Sequence, residues 1–317
     1  MNKSVTTDPN TRFTDPKFKV GSLSIPMLPD DNIEHISNKY LDIPYAAQSP
    51  SQQLDIYLPP HGVKPYPVLI YFHGGGFVAG DKRDVNIEPM LRALEKGYAL
   101  VSVGYRKSKE AKFPALIYDA KAAVRFIRAH AAAYDLDPGA IASIGPSAGG
   151  WISGMLGVTG GNPAFEDLSM GNAEISSEVQ AAVTWCAPTG NFLDMDPALA
   201  KRGLSNEKFN HNDPYSPESW ILGAAITDIP ELVRLADPCT YAHPNIPPFL
   251  IQHGTADSIV PVDQSLVFAE ALMNKAGKDR VMLEIGEGKE HHHDPWYLTD
   301  LERTDMVFRF LDRVFQK

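Results

Sequence analysis

Cysteine is almost missing from this chain. Two residues among 317, Cys186 and Cys239, can neither build a disulfide framework nor supply the paired spacing of a metal knuckle. They read as two small buried hydrophobes near strand ends, with a single bridge as the alternative. Positive charge is also short: 29 Lys and Arg against 39 Asp and Glu leave a formal charge of -10. That balance argues against nucleic acid or an anionic membrane surface as partner. No apolar run is long enough to span a bilayer. The stretch Met1 to Asn10 is polar and carries no apolar core of a secretion signal, so a soluble, cytoplasmic protein is expected, with secretion of a processed form as the alternative. What is present, 44% hydrophobic and 21% charged residues, is the composition of an ordinary globular protein, and the length suits one large α/β domain with an insertion.

The most informative stretch is Ile141 to Trp151. Within it, Gly145-Pro146-Ser147-Ala148-Gly149 fits G-x-S-x-G, the pattern of a buried strand that turns abruptly into a helix and presents a serine at the bend. Strand and helix nearly touch there, so the glycines remove side chains that would collide, and Ser147 becomes the candidate nucleophile. Five residues alone are a weak signal; their context strengthens it. The apolar run Val68 to Phe72, a buried strand by its continuity, ends in His73-Gly74-Gly75-Gly76-Phe77. Consecutive glycines there are expected to aim backbone N–H groups at the oxygen of a tetrahedral intermediate. Gly75, Gly76 and the N–H of Ala148 are therefore the candidate oxyanion donors.

Taken in order, residues 1–40 are polar and proline-rich without periodicity and read as an N-terminal arm that packs along the surface or forms a homo-oligomer contact. The domain proper is expected over 41–317. Leu54 to Leu58 alternates and stops at Pro59-Pro60, which suits an antiparallel edge strand. Helix and strand then alternate: a helix over Asn86 to Lys96, a strand over Gly97 to Tyr105, a helix after Pro114, a strand over Ile141 to Ile144, and the helix after Ser147. This order predicts a mostly parallel sheet with the nucleophile at a carboxyl-end turn. A strand over Val179 to Trp185 precedes a segment at about 187–237 that suspends the alternation and reads as a small cap over the site. Phe192, Leu193 and Trp220 within it fit either the pocket or the cap's own core, the latter preferred. The strand Pro248 to His253 runs into Gly254-Thr255-Ala256-Asp257, where the acid of a Ser…Asp…His order falls. Asp263 fits a helix-cap role better. After the last strand, Val281 to Ile285, come His291, His292 and His293, one of which should be the general base. A metal tract is the alternative for these three, but neighbouring residues point in different directions and no cysteine or spaced carboxylate follows to complete a cage, so neither metal nor organic cofactor is expected.

These motifs together, His73-Gly-Gly-Gly-Phe77, Tyr105-Arg106, Phe113-Pro114-Ala115, Gly145 to Gly150, His253-Gly-Thr-Ala-Asp257 and Val260-Pro261, resemble the α/β-hydrolase fold in its hormone-sensitive-lipase-like branch. The nearest likeness is to bacterial acetyl-xylan and feruloyl esterase-like proteins, and it covers about Leu41 to the C-terminus. The resemblance implies Ser147 as nucleophile and Asp257 as acid. It places the histidine one residue before an Asp-Pro pair flanked by glycines, which selects His292; here His291 and His293 replace both glycines. Pro146, Lys107 and Trp151 also depart from the pattern, and Trp151 moves the likeness toward the xylan-esterase-like group. Phe77, Trp151 and Val260 are the expected substrate-binding residues.

The function expected from this set is hydrolysis of short acyl, acetyl-type esters through an acyl-enzyme. The substrate would be a small-molecule ester, with no nucleic-acid or membrane partner. A feruloyl or aryl esterase and an arylformamidase-like amidase use the same triad and are the alternatives. A non-catalytic receptor is a further one, disfavoured because every triad type is present.

Overall fold

In the computed structural model, which describes residues 25–205 and 210–316, eight strands form one sheet. They are β1 (Lys39–Pro44), β2 (Gln53–Tyr57), β3 (Tyr66–Phe72), β4 (Ala99–Val103), β5 (Leu136–Pro146), β6 (Ala181–Trp185), β7 (Phe249–Gly254) and β8 (Val281–Gly286). Their order across the sheet is β1-β2-β4-β3-β5-β6-β7-β8. β2 pairs antiparallel with both β1 and β4, and every later neighbour pair is parallel. Parallel strands need crossovers over the sheet faces, and burial of both faces explains why β4 and β6 are apolar or small throughout.

One edge differs from the sequence reading. β2, expected at the edge, has β1 outside it, and β1 alternates half-buried and exposed residues, as an edge with one wet face does. The strand begins at Lys39 and so straddles the expected boundary between arm and domain. Of the arm, residues 1–24 lie outside the described residues. The part from residue 25 packs on the domain: Leu28, Ile33 and Ile36 are buried among Tyr57, Ile87, Met90 and Leu94, and Met27 bridges to Asp84.

Two cores flank the sheet. The helices Ala115–Ala129 and Ala148–Val158 cover one face; the C-terminal helix Leu301–Phe315 and the 3₁₀ helix Val85–Ala93 cover the other, through Val307, Phe308, Leu311 and Ile87. The C-terminal helix is preceded by a separate turn: Pro295–Leu298 forms it, and Asp300 caps the helix that follows through Glu302 N–H. The cap falls between β6 and β7, with short helices Met195–Lys201, Pro217–Leu222 and Pro230–Leu235 and 3₁₀ turns at Phe192–Asp194, Ile226–Asp228 and Pro238–Tyr241 among the described residues. Phe192 and Trp220 are buried, and Phe192 packs on Phe77 and Trp151.

Candidate active site

The bend between β5 and the helix Ala148–Val158 has Ser147 at its apex. Its backbone sits at φ 54°, ψ -122°, outside the wells that L-residues favour, and strain of this kind costs on the order of 1–3 kcal/mol. The neighbours hold it there. Ser147 N–H donates to Trp185 O at 2.8 Å, and Trp151 N–H donates to Ser147 O at 3.0 Å. Gly149 is required by contact: a Cβ there would run into the Phe72 carbonyl oxygen.

Beside the serine, the glycine loop after β3 turns sharply. Gly75 has φ +108° and a Cβ on it would strike the Ala79 carbonyl, while Gly75 O accepts from Val78 N–H at 3.1 Å and Ala79 N–H at 3.0 Å. The N–H groups of Gly75, Gly76 and Ala148 are not spent on other partners among the described residues. All three residues line one cavity with Ser147. His73 braces the loop from beneath. Its ring stacks on Tyr105 at 4.3 Å, its Nδ1 lies 2.7 Å from Gly74 O, and Tyr105 O–H donates to His73 O at 2.8 Å. Burial pushes the His73 ring down to about 3, so it stays neutral.

Asp257 is fully buried and accepts from four directions. Oδ1 takes the N–H groups of Ile259 and Val260, each at 2.9 Å. Oδ2 takes His253 Nε2 at 3.1 Å and His291 Nδ1 at 2.7 Å. His253 Nε2 also faces Val260 O at 2.9 Å, and its Nδ1 faces the Ser265 hydroxyl at 2.7 Å. Two acceptors on one side put its proton on Nε2, with Nδ1 accepting from Ser265. Burial alone would raise the Asp257 pKa, but the rings of His291 and His253 outweigh it and hold the carboxyl well below the usual range. Asp257 thus serves as a turn residue through one oxygen and as a ring holder through the other. Asp263, expected to cap the following helix, makes no cap bond; Val262 holds the cap position and Asp263 pairs with Arg202.

Of the three adjacent histidines, the one on Asp257 is His291, where the resemblance selects His292. The reason is the way the histidine loop is stitched to the acid loop. Thr255 N–H donates to Gly286 O and Ala256 N–H to Lys289 O, both at 2.9 Å. Asp294 N–H then closes a turn onto His291 O at 2.7 Å, and Asp294 caps the next helix through Trp296 N–H at 2.8 Å. Within that turn, His291 faces the acid. Burial opposes charge on its ring, but Asp257, with Cys186 beside it, outweighs burial and raises the His291 pKa well above its ordinary value.

His292 is only 5% exposed, and neither ring nitrogen has a hydrogen-bond partner. Burial, with His291 and His293 alongside, drives its pKa well below the ordinary value. A Cβ placed on Gly74 would meet Ser147 Cβ at 3.6 Å and His292 Cε1 at 3.7 Å, so the His292 ring and the serine flank the same glycine. The cavity holds about 230 Å³ and is bounded by Phe77, Ser147, Val260 and the three histidines, and by His211, Pro217 and Glu218 of the cap. Of the three residues expected to bind substrate, Phe77 and Val260 line this cavity. Trp151 does not: its indole N–H donates to Ala236 O at 2.9 Å and its ring packs against Phe77 and Phe113.

Sequence reading missed His211 and Glu218, which carry no motif. His211 Nε2 donates to Ile259 O at 2.8 Å, and its Nδ1 lies 3.2 Å from Glu218 Oε2. Burial opposes the charged ring, but Glu218 outweighs it and raises the His211 pKa to about 9. The cavity wall therefore includes a buried ion pair. Cys186, at the end of β6, lies beside His291 and His292; it and Cys239 are not bridged.

Residues 54–272 match the BD-FAE family. The Mycobacterium tuberculosis esterase LipQ is 32% identical over 80% of this chain and 56% of its own length. The probable carboxylic ester hydrolase LipM of the same organism is 29% identical over 77% and 54%. The chain spans about half the length of these curated relatives. Among solved structures, a truncated carbohydrate esterase from gut microbiota superposes with a TM-score of 0.77 at 28% identity, covering 92% of this chain and all of that one. A bifunctional GH43-CE protein of Bacteroides eggerthii gives 0.74 at 31%, over 87% of this chain and 35% of that one. With a bent serine, a braced glycine loop and a buried acid on a mostly parallel sheet, the chain is an α/β-hydrolase and belongs to the BD-FAE family.

Proposed function

We propose that this chain is a serine carboxylesterase acting on short acyl esters, with Ser147 as nucleophile, His291 as general base and Asp257 as its orienting acid. The observation that carries the reading is the 2.7 Å bond from His291 Nδ1 to the buried Asp257 carboxylate, in the same cavity as Ser147. That bond commits Nδ1 as donor and leaves Nε2 as the basic nitrogen, the tautomer a base needs.

In the first step His291 Nε2 takes the Ser147 hydroxyl proton as Oγ attacks the ester carbonyl. Negative charge on the carbonyl oxygen meets the N–H groups of Gly75, Gly76 and Ala148, where one donor in a comparable site is worth about 3–4 kcal/mol of barrier. The imidazolium then protonates the departing alkoxide, and water, deprotonated by the same nitrogen, releases the acid from the acyl-enzyme. His292 cannot take over from its place in the turn, since Asp257 does not orient its ring. Acetyl-type substrates are favoured because a cavity of about 230 Å³ lies below the roughly 300–1,000 Å³ of sites for larger ligands. The carbohydrate esterase named among the structural neighbours supports a polar alcohol half, and the His211–Glu218 pair offers it a charged wall.

Initial rates on p-nitrophenyl acetate, butyrate and octanoate, with Ser147→Ala alongside, test the reading. The expected result is turnover that needs Ser147 and falls with chain length. Wild-type turnover retained by Ser147→Ala overturns the mechanism; octanoate preferred over acetate overturns the short-acyl assignment.

A further inference from the structure

From the sequence a metal tract is disfavoured because three adjacent histidines point in different directions and no cysteine or spaced carboxylate completes a cage. The fold supplies a cysteine. Cys186, at the end of β6, places its Sγ so that it, a ring nitrogen of His291 and a ring nitrogen of His292 all lie within 4.8 Å of one another, and all three residues are buried. We propose that Cys186, His291 and His292 form a binding site for a thiophilic divalent cation of the zinc type, and that its occupation switches the esterase off.

Three observations carry this. The first is the donor set: one sulfur and two imidazoles suit zinc and poorly suit the hard cations magnesium and calcium. The second is His292, 95% buried by its 5% exposure, with both nitrogens unpartnered. A buried ring usually satisfies at least one nitrogen, and a metal would satisfy this one. The third is the 2.7 Å bond from His291 Nδ1 to Asp257. It leaves Nε2 for the metal and builds the carboxylate–histidine–metal arrangement that fixes ring orientation in metal sites.

The geometry needs only a small adjustment. Tetrahedral zinc with bonds of about 2.0–2.3 Å brings ligand atoms to roughly 3.5 Å from one another. Donors up to 4.8 Å apart must therefore close by up to about 1.3 Å, and the His292 ring can swing without breaking a hydrogen bond. Binding displaces the Cys186 thiol proton to solvent, and the thiolate with Asp257 behind His291 balances the two positive charges. Three protein ligands leave a fourth position for water.

The regulatory half rests on the esterase reading, because the metal would take the Nε2 lone pair that must accept the serine proton. The binding half does not. The test therefore has two arms on the full chain, reduced and stripped of metal. In the first, cobalt(II) is titrated into wild type, Cys186→Ala, Cys186→Ser, His292→Ala and the control Cys239→Ala, and the near-ultraviolet thiolate-to-cobalt band is followed. The expected result is one equivalent bound with that band in wild type and Cys239→Ala, lost in both Cys186 variants, and affinity lower by at least about tenfold in His292→Ala. No band in wild type, or a band that survives Cys186→Ala, overturns the site whether or not the protein hydrolyses esters. In the second arm, zinc is titrated against p-nitrophenyl acetate turnover. Inhibition that saturates at one equivalent in wild type, and needs at least about tenfold more zinc in Cys186→Ser, supports the switch. Cobalt binding without zinc inhibition overturns the switch and leaves the site.

Discussion

Replacing His291 and His292 separately by Asn distinguishes the two neighbours. His291→Asn removes one donor from Asp257 but leaves three, His253 Nε2 and the N–H groups of Ile259 and Val260. The carboxylate thus stays ionised and held, and the fold should lose about 1.5–3 kcal/mol, the range for a hydrogen bond to a charged group. The base is gone, however, and its loss should lower kcat by about 10²–10⁴, equal to about 3–5 kcal/mol of barrier. His292→Asn breaks no hydrogen bond, so kcat should fall by less than about tenfold, well short of the loss of a base. Initial rates on p-nitrophenyl acetate at saturating ester, normalised to folded protein by near-ultraviolet circular dichroism, separate the two. A loss of about 10² or more in His292→Asn with His291→Asn near wild type would refute the assignment and return the base to His292.

Three further outcomes are expected. The His211 pKa is raised from 6.5 to about 9 in the fold, so its pairing with Glu218 stabilises fully below about pH 6.5 and is lost as pH rises through about 9, a total of roughly 3 kcal/mol. Urea unfolding across that range should show the decline in wild type and a flatter profile in Glu218→Gln; identical profiles would remove the ion pair from the argument. Gly149→Ala drives a methyl into the Phe72 carbonyl and should lower esterase kcat/KM by about 100-fold, since displacing the nucleophile by about an ångström is enough; kinetics within a few-fold of wild type would contradict the close approach. Trp151→Phe loses the bond to Ala236 O and should cost about 1–3 kcal/mol in unfolding while KM for acetyl esters stays put, and a large KM change with intact stability would put Trp151 back in the pocket.

Much of this protein was decided locally and so could be read from the chain. The G-x-S-x-G bend, the three glycines after β3 and the Gly-Thr-Ala-Asp turn after β7 are short stretches whose backbone demands are met by the residues themselves. Buried parallel strands announce themselves as apolar runs, so the strands β3 to β8 could be read from the chain. The strand β1 escaped because an edge strand with one wet face carries mixed residues and leaves no such run.

What the chain could not decide were contacts between residues far apart in it. Which of three adjacent histidines meets Asp257 depends on a turn closed by Asp294 and on backbone bonds from residues 255 and 256 to the histidine loop, none of which leaves a periodic or compositional trace. Trp151 follows the elbow in sequence, yet helix geometry turns it into the core. His211 and Glu218 become a charged wall only when the cap folds over the serine, and Cys186 becomes a neighbour of His291 and His292 only when β6 lies beside β7 and β5 in the sheet. The sequence by itself determined the serine bend, the acid-bearing turn and the sheet that carries them, because those rest on local sterics and burial; the tertiary structure alone decided which histidine meets Asp257, the pocket wall and the sulfur beside it, because each is a meeting of distant residues.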